Sequence, residues 1–142
     1  MSLIYLLDTN VISEPLRRAP NQHVLERLKQ HEAEIAIATV VWHELLYGAY
    51  HLPHSAKRSA IEEYLSEVVT PTFPILPYDV QAAQWHAAER ARLVSLGQTP
   101  PFADGQIAAI AQVNHLTLVT ANTSDFSMFR ELRVENWFDA PD

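Results

Sequence analysis

Short apolar runs alternate along this chain with longer stretches in which apolar residues recur every three or four positions. Residues 3–7 are an unbroken apolar run, the pattern of a strand buried on both faces in the middle of a parallel sheet. Residues 34–38 and 116–120 read as further strands. Residues 73–77 are bounded by prolines and predict a short edge strand, and residues 132–134 predict a last short one. Helical spacing fills the gaps. A short helix is expected over 11–16, with Pro15 near its end, and another over 23–31 on Val24, Leu25 and Leu28. Thr39 is expected to cap a helix running to Tyr50. Ser55 precedes an amphipathic helix over 56–69, and Asp79 precedes a long one that Gly97 stops. A further helix is expected over 103–114, and residues 122–126 open a loop or short helix. Strands alternating with helices imply right-handed βαβ crossovers. The expected fold is α/β: one domain over residues 1–142, with a mainly parallel central sheet of about four or five strands flanked by helices on both sides.

Composition removes several chemistries. The chain has no cysteine, which excludes disulfides, iron–sulfur clusters and thiolate zinc sites. Its three glycines are far apart and cannot build a phosphate-cradling loop. No serine sits in a GxSxG elbow. His43-Glu44 opens like the HExxH helix of zinc proteases, but position 47 is Tyr47 and the pattern fails. A formal charge of −7 argues against a protein that coats nucleic acid by charge alone. It leaves open an enzyme that meets a phosphate backbone through bound cations. No apolar run reaches the length of a membrane span, and the first residues lack the basic flank and cleavage site of a signal peptide. A cytoplasmic protein without a membrane partner is therefore expected.

Four carboxylates are hard to explain as solvated surface. Asp8 follows the first apolar run, at the carboxyl tip of a strand expected to be central, where ligands gather in open α/β sheets. Its alternative is a helix cap. Glu44 lies on an apolar stripe with Val40, Val41 and Gly48, so it must be paired with an arginine, protonated or metal-bound. Asp104 opens a helix whose next inward positions are Ile107, Ala108 and Ala111; its alternative is a favourable charge at a helix N-terminus. Asp125 lies beyond the strand ending at Thr120, and its alternative is again a cap. Together the four converge on one edge of the expected sheet. They would raise one another's pKa unless a cation intervened. A hard divalent cation such as Mg²⁺ takes oxygen ligands of this kind.

With these residues in hand, the sequence resembles PIN-domain proteins, specifically the VapC/FitB type of bacterial toxin. Leu7-Asp8-Thr9-Asn10 resembles the opening motif, and Glu44-Leu45-Leu46-Tyr47-Gly48 the helical Glu followed by Gly. The segment 101–109 around Asp104 resembles the third-acid motif, the segment 120–126 the last motif, and Val134-Glu135-Asn136-Trp137 the usual ending. Each motif alone is weak, but five in order at suitable spacing, over nearly the whole chain, are specific.

The resemblance implies a metal-dependent endoribonuclease using Mg²⁺ or Mn²⁺. Asp8, Glu44 and Asp104 carry over as catalytic, metal-binding acids. The position two after Thr120 is Asn122 rather than an acid, which makes Asp125 the fourth candidate and leaves open which of the two completes the site. Thr9, Asn10, Thr120 and Asn122 are polar support, with Thr9 expected to cap the helix after Asp8. Arg17, Arg90 and Arg92 are candidates to hold flanking phosphates of an RNA substrate, against a plain role as surface charges. The resemblance also implies a homodimer and a cognate antitoxin that inserts a segment into the active-site groove. Two other functions stand behind this one. Phosphoryl transfer on an aspartate also uses an Asp at the first strand tip, but Asn10 fills the position where a phosphatase wants a second Asp. A non-catalytic PIN-like binding module would not need all four acids.

Overall fold

The first apolar run becomes the middle of a sheet because both its faces are covered. The computed structural model describes residues 2–139. β1 (Tyr5–Leu7) is followed by a short helix, α1 (Thr9–Ile12), and a 3₁₀ turn at Glu14–Leu16 that contains Pro15. Then come α2 (Gln22–Gln30), β2 (Ile35–Ala38) and α3 (Thr39–His51). α4 (Ala56–Tyr64) runs through a π turn at Leu65–Val69 into α5 (Thr70–Thr72) and β3 (Ile75–Leu76). α6 (Val80–Ser95), α7 (Phe102–Val113), β4 (Thr117–Val119), a 3₁₀ turn at Thr123–Phe126 and β5 (Val134–Glu135) complete the described chain.

The five strands form one sheet in the order β3-β2-β1-β4-β5, and every pairing is parallel. β1 is central, with Leu7 opposite both Ile37 and Val119. Leu6, Leu7, Ile35, Ile37 and Leu118 are fully buried between the two helical layers. Burying so many aliphatic side chains, at about 25 cal/mol per Å² of apolar surface, is what holds the layers together. Because all strands point one way, their carboxyl ends share an edge. α3 leaves that edge directly from β2. α7 returns to the opposite edge before β4, so its N-terminus stands there too.

Local corrections have physical reasons. Thr39 is the first helical residue of α3; Ala38 holds the cap position and offers no side-chain hydrogen bond. The segment 11–16 splits, since Pro15 cannot continue an α-helix and the chain tightens into 3₁₀. The helix expected over 56–69 keeps its direction but widens into the π turn. Ser55 and Asp79 do cap α4 and α6, accepting hydrogen bonds from the Arg58 and Ala82 amides. Gly97 adopts φ +77°, the left-handed turn that ends α6. Among the described residues no helix is long and apolar enough to cross a membrane.

A candidate metal centre at the carboxyl edge of the sheet

Asp8 is 8% exposed and locked by neutral donors. One carboxylate oxygen accepts from the Thr9 amide at 2.8 Å. The other accepts from the Thr120 hydroxyl at 2.9 Å and from the Asn10 side-chain amide at 3.3 Å. The Asp8 amide donates to Val119 O at 2.9 Å, which ties the strand tips of β1 and β4 together. Asp8 also occupies the N-cap position of α1. The expectation that Thr9 would be the cap is therefore corrected. Its hydroxyl instead donates a short hydrogen bond to Glu44, across 35 positions of sequence. Asn10 and Thr120 brace the same corner: Asn10 accepts from the Ala121 amide at 3.0 Å, and Thr120 from the Asn122 amide at 3.1 Å.

Asp104 lies in the first turn of α7. Its carboxyl is pushed up from the ordinary 3.8 to about 6, first by burial and then by the charges of Asp8, Asp125 and Glu44. That field ties all four acids to one locale. Among the described residues none of the four forms an ion pair with an arginine, lysine or histidine. Nor are any three acids there closed into a ready ligand shell. The arrangement is open, half-buried at Glu44 and Asp104 and exposed at Asp125. Asn122 is exposed; its amide works in the Thr120 brace. The donor set fits a hard divalent cation that keeps several waters: carboxylate oxygens, neutral supporting hydroxyls and amides, and no competing positive charge.

The three arginines go to different places. Arg17 is exposed and pairs with Glu14 at 3.5 Å. Arg90 is exposed, with its guanidinium 5.3 Å from the centre of the Phe102 ring, two residues before Asp104. Arg92 is committed inside the fold. It grips Glu89 through two hydrogen bonds of 2.7 and 2.8 Å and donates to Met128 O at 3.0 Å.

Three features behind the site had no clear signal in the sequence. Glu14 is 2% exposed and Glu89 6%, yet both are satisfied internally. Glu14 accepts from the Asn21 amide at 2.8 Å, and Glu89 accepts from the Arg130 amide at 2.8 Å as well as from Arg92. The third is His86, which is buried. Its ring lies against the backbone of Gly105, so close that a Cβ built on Gly105 would fall 2.2 Å from His86 Nε2. The Tyr78 hydroxyl shares a 2.7 Å hydrogen bond with His86 Nδ1, and Phe102 packs on the ring at 4.7 Å between centroids. Burial, aided by Arg90, holds the imidazole below its ordinary pKa. The result is a fixed seat for the first turn of α7.

Comparison with known proteins agrees with this geometry. The PIN domain family model matches residues 5–132. The chain is 38% identical over 126 residues to Toxin FitB of Neisseria gonorrhoeae, covering 85% of this chain and 89% of that one. It is 32% identical over 136 residues to the tRNA(fMet)-specific endonuclease VapC of Shigella flexneri, covering 95% and 98%. A solved structure of FitAB bound to an IR36 DNA fragment superposes with a TM-score of 0.89 at 32% identity, covering 98% of this chain and 99% of that one.

Proposed function

The chain belongs to the PIN-domain family, and from that premise we propose that it is a divalent-metal-dependent endoribonuclease, the toxin of a toxin–antitoxin pair. The observation that carries the reading is the group of four acids at one strand edge, two of them held by neutral donors and, among the described residues, none of them in an ion pair. Asp8, Glu44, Asp104 and Asp125 would hold Mg²⁺ or Mn²⁺. When bound, such a cation lowers the pKa of a water and stabilises charge on a phosphodiester in transit.

The chain's own residues prepare that chemistry. Thr120 and Asn10 fix one oxygen of Asp8, and the Thr9 amide fixes the other. Thr9 orients Glu44. The raised pKa of Asp104 marks an acid that gains most from a positive charge beside it. Arg17 and Arg90 are available to flanking phosphates, whereas Arg92 is occupied by Glu89 and leaves that set. The names of the relatives support RNA as substrate, and the likeness to FitB and to the FitAB structure supports a cognate antitoxin as partner. A homodimer acting in the cytoplasm completes the proposal, and light scattering of the purified protein tests the dimer.

The central test uses single-stranded and structured RNA with Mg²⁺, with Mn²⁺ and with chelator, beside Asp104→Asn. Cleavage is expected with either metal and is expected to vanish in chelator and in the variant. Cleavage that persists in either would sink the mechanism.

A further inference from the structure

Of the four acids, Glu44 lines a cavity that extends away from the site. A cavity of about 330 Å³ beside Glu44 and Thr9 is walled by Ser13 and Lys57 over an apolar floor of Leu16 and Ile61. A second cavity, of about 790 Å³, shares Ser13, Leu16, Lys57 and Ile61 and adds Arg17 and Arg18. The two cavities adjoin along that shared wall, and together they run from Glu44 and Thr9 past Ser13 and Leu16 to a basic end. From Thr9 to Arg17 the helical rises sum to roughly 12–16 Å. That is the reach of a short strand rather than of one nucleotide.

The basic end is unusual for this chain. It gathers three of ten basic residues, and one of two lysines, in a protein of formal charge −7. Of these three cations the fold engages Arg17 alone in an ion pair, with Glu14, among the described residues. Arg18 and Lys57 are exposed and, among the described residues, form no ion pair. The Arg17 side chain is 70% exposed and touches Glu14 only at 3.5 Å. A polyanion approaching the acids meets repulsion, and cations along its exit offset that cost. The apolar floor between the two ends suits riboses and base faces, which any sequence presents.

We propose that this groove is the track of single-stranded RNA flanking the cut, with phosphates on Arg17, Arg18 and Lys57 and sugars over Leu16 and Ile61. The proposal rests on the ribonuclease reading above. It selects the Arg17 side, rather than Arg90, as the main backbone contact.

The test measures binding apart from cleavage. A fluorescent single-stranded oligoribonucleotide is titrated with Asp104→Asn protein at several salt concentrations, with and without the added pair Arg18→Ala and Lys57→Ala. The pair is expected to weaken binding roughly tenfold to thirtyfold near 0.1 M salt. It is also expected to flatten the slope of log affinity against log salt by about 1.4, the signature of two lost phosphate contacts on a single strand. Lys29→Ala, which removes the other lysine, should change neither quantity. Charge reversal, Arg18→Glu with Lys57→Glu, should weaken binding further, and thermal melts identify any misfolded variant. An unchanged affinity and slope overturns the proposal. So does a pair that loses binding to a polyglutamate peptide while its RNA slope stays the same, since the groove would then serve an acidic protein segment. The two readings fail separately. A wild-type protein that binds RNA but never cuts it with Mg²⁺ or Mn²⁺ sinks the ribonuclease reading. A wild-type protein that cuts RNA, combined with an unchanged slope in the pair, sinks the groove alone.

Discussion

Glu89 and Asp104, on two helices packed against each other, are two answers to the same problem. Each is a carboxylate withdrawn from water, on α6 and α7 respectively. Glu89 is answered from within: Arg92 and the Arg130 amide hold its carboxyl below the ordinary 4.5, despite burial. Among the described residues no cation pairs with Asp104. Burial and three neighbouring acids drive it up to about 6. Glu14 sits with Glu89, since the Asn21 amide and Arg17 supply its partners. Burial of an acid therefore does not mark a site in this protein. What sets Asp104 apart is burial beside three like charges, with no ion pair among the described residues.

The sharpest way to break this contrast is to neutralise both acids. Asp104→Asn should abolish metal-dependent RNA cleavage while leaving the melting point of the metal-free protein level or higher. Glu89→Ala should do the reverse: a melting point lower by roughly 5 °C, with turnover per folded molecule nearly intact. Equal losses of activity in the two variants would erase the distinction. A smaller effect tests the neutral scaffold. Thr9→Ala removes the hydroxyl that holds Glu44 and should weaken Mn²⁺ affinity roughly tenfold, read by titration calorimetry.

The smallest effect lies in pH, and its sign differs between the two acids. Asp104 titrates near 6 in the fold against an ordinary 3.8. The folded chain therefore holds that proton more tightly than the unfolded one. Its contribution to stability is fully present below 3.8 and is lost as pH rises through 6, by about 1 kcal/mol once solvent screening is allowed for. Glu89 is depressed below 4.5, so its contribution is present above that value and is lost as pH falls. Urea midpoints measured in chelator between pH 3.5 and 7 should lose the first slope in Asp104→Asn and the second in Glu89→Gln. Parallel curves in both variants would contradict the assignment.

The sheet was legible in the sequence because its strands are buried on both faces and so read as unbroken apolar runs. The edge strand was legible from its flanking prolines. Asp8, Glu44 and Asp104 were legible because each interrupts an apolar pattern. Thr9 was misassigned as a cap because its true partner lies 35 positions away, and helix spacing carries no trace of such a bond. Glu89 was missed because a Glu three residues before an Arg looks like any solvated pair on a helix. Its burial comes from the segment around Met128 and Arg130, which folds back over it. The partner of His86 was hidden for a related reason: its ring packs where Gly105, on another helix, has no side chain.

That last contact constrains how this protein can change over generations. With His86 Nε2 only 2.2 Å from where a Cβ on residue 105 would stand, alanine at 105 alone overpacks the seat of α7 unless the imidazole shifts. The same alanine is harmless once residue 86 has shrunk. The two positions are therefore open to substitution in one order and closed in the other. Descendants of this sequence should vary them together: a small residue at 86 wherever 105 carries a side chain, and glycine at 105 wherever the imidazole is kept.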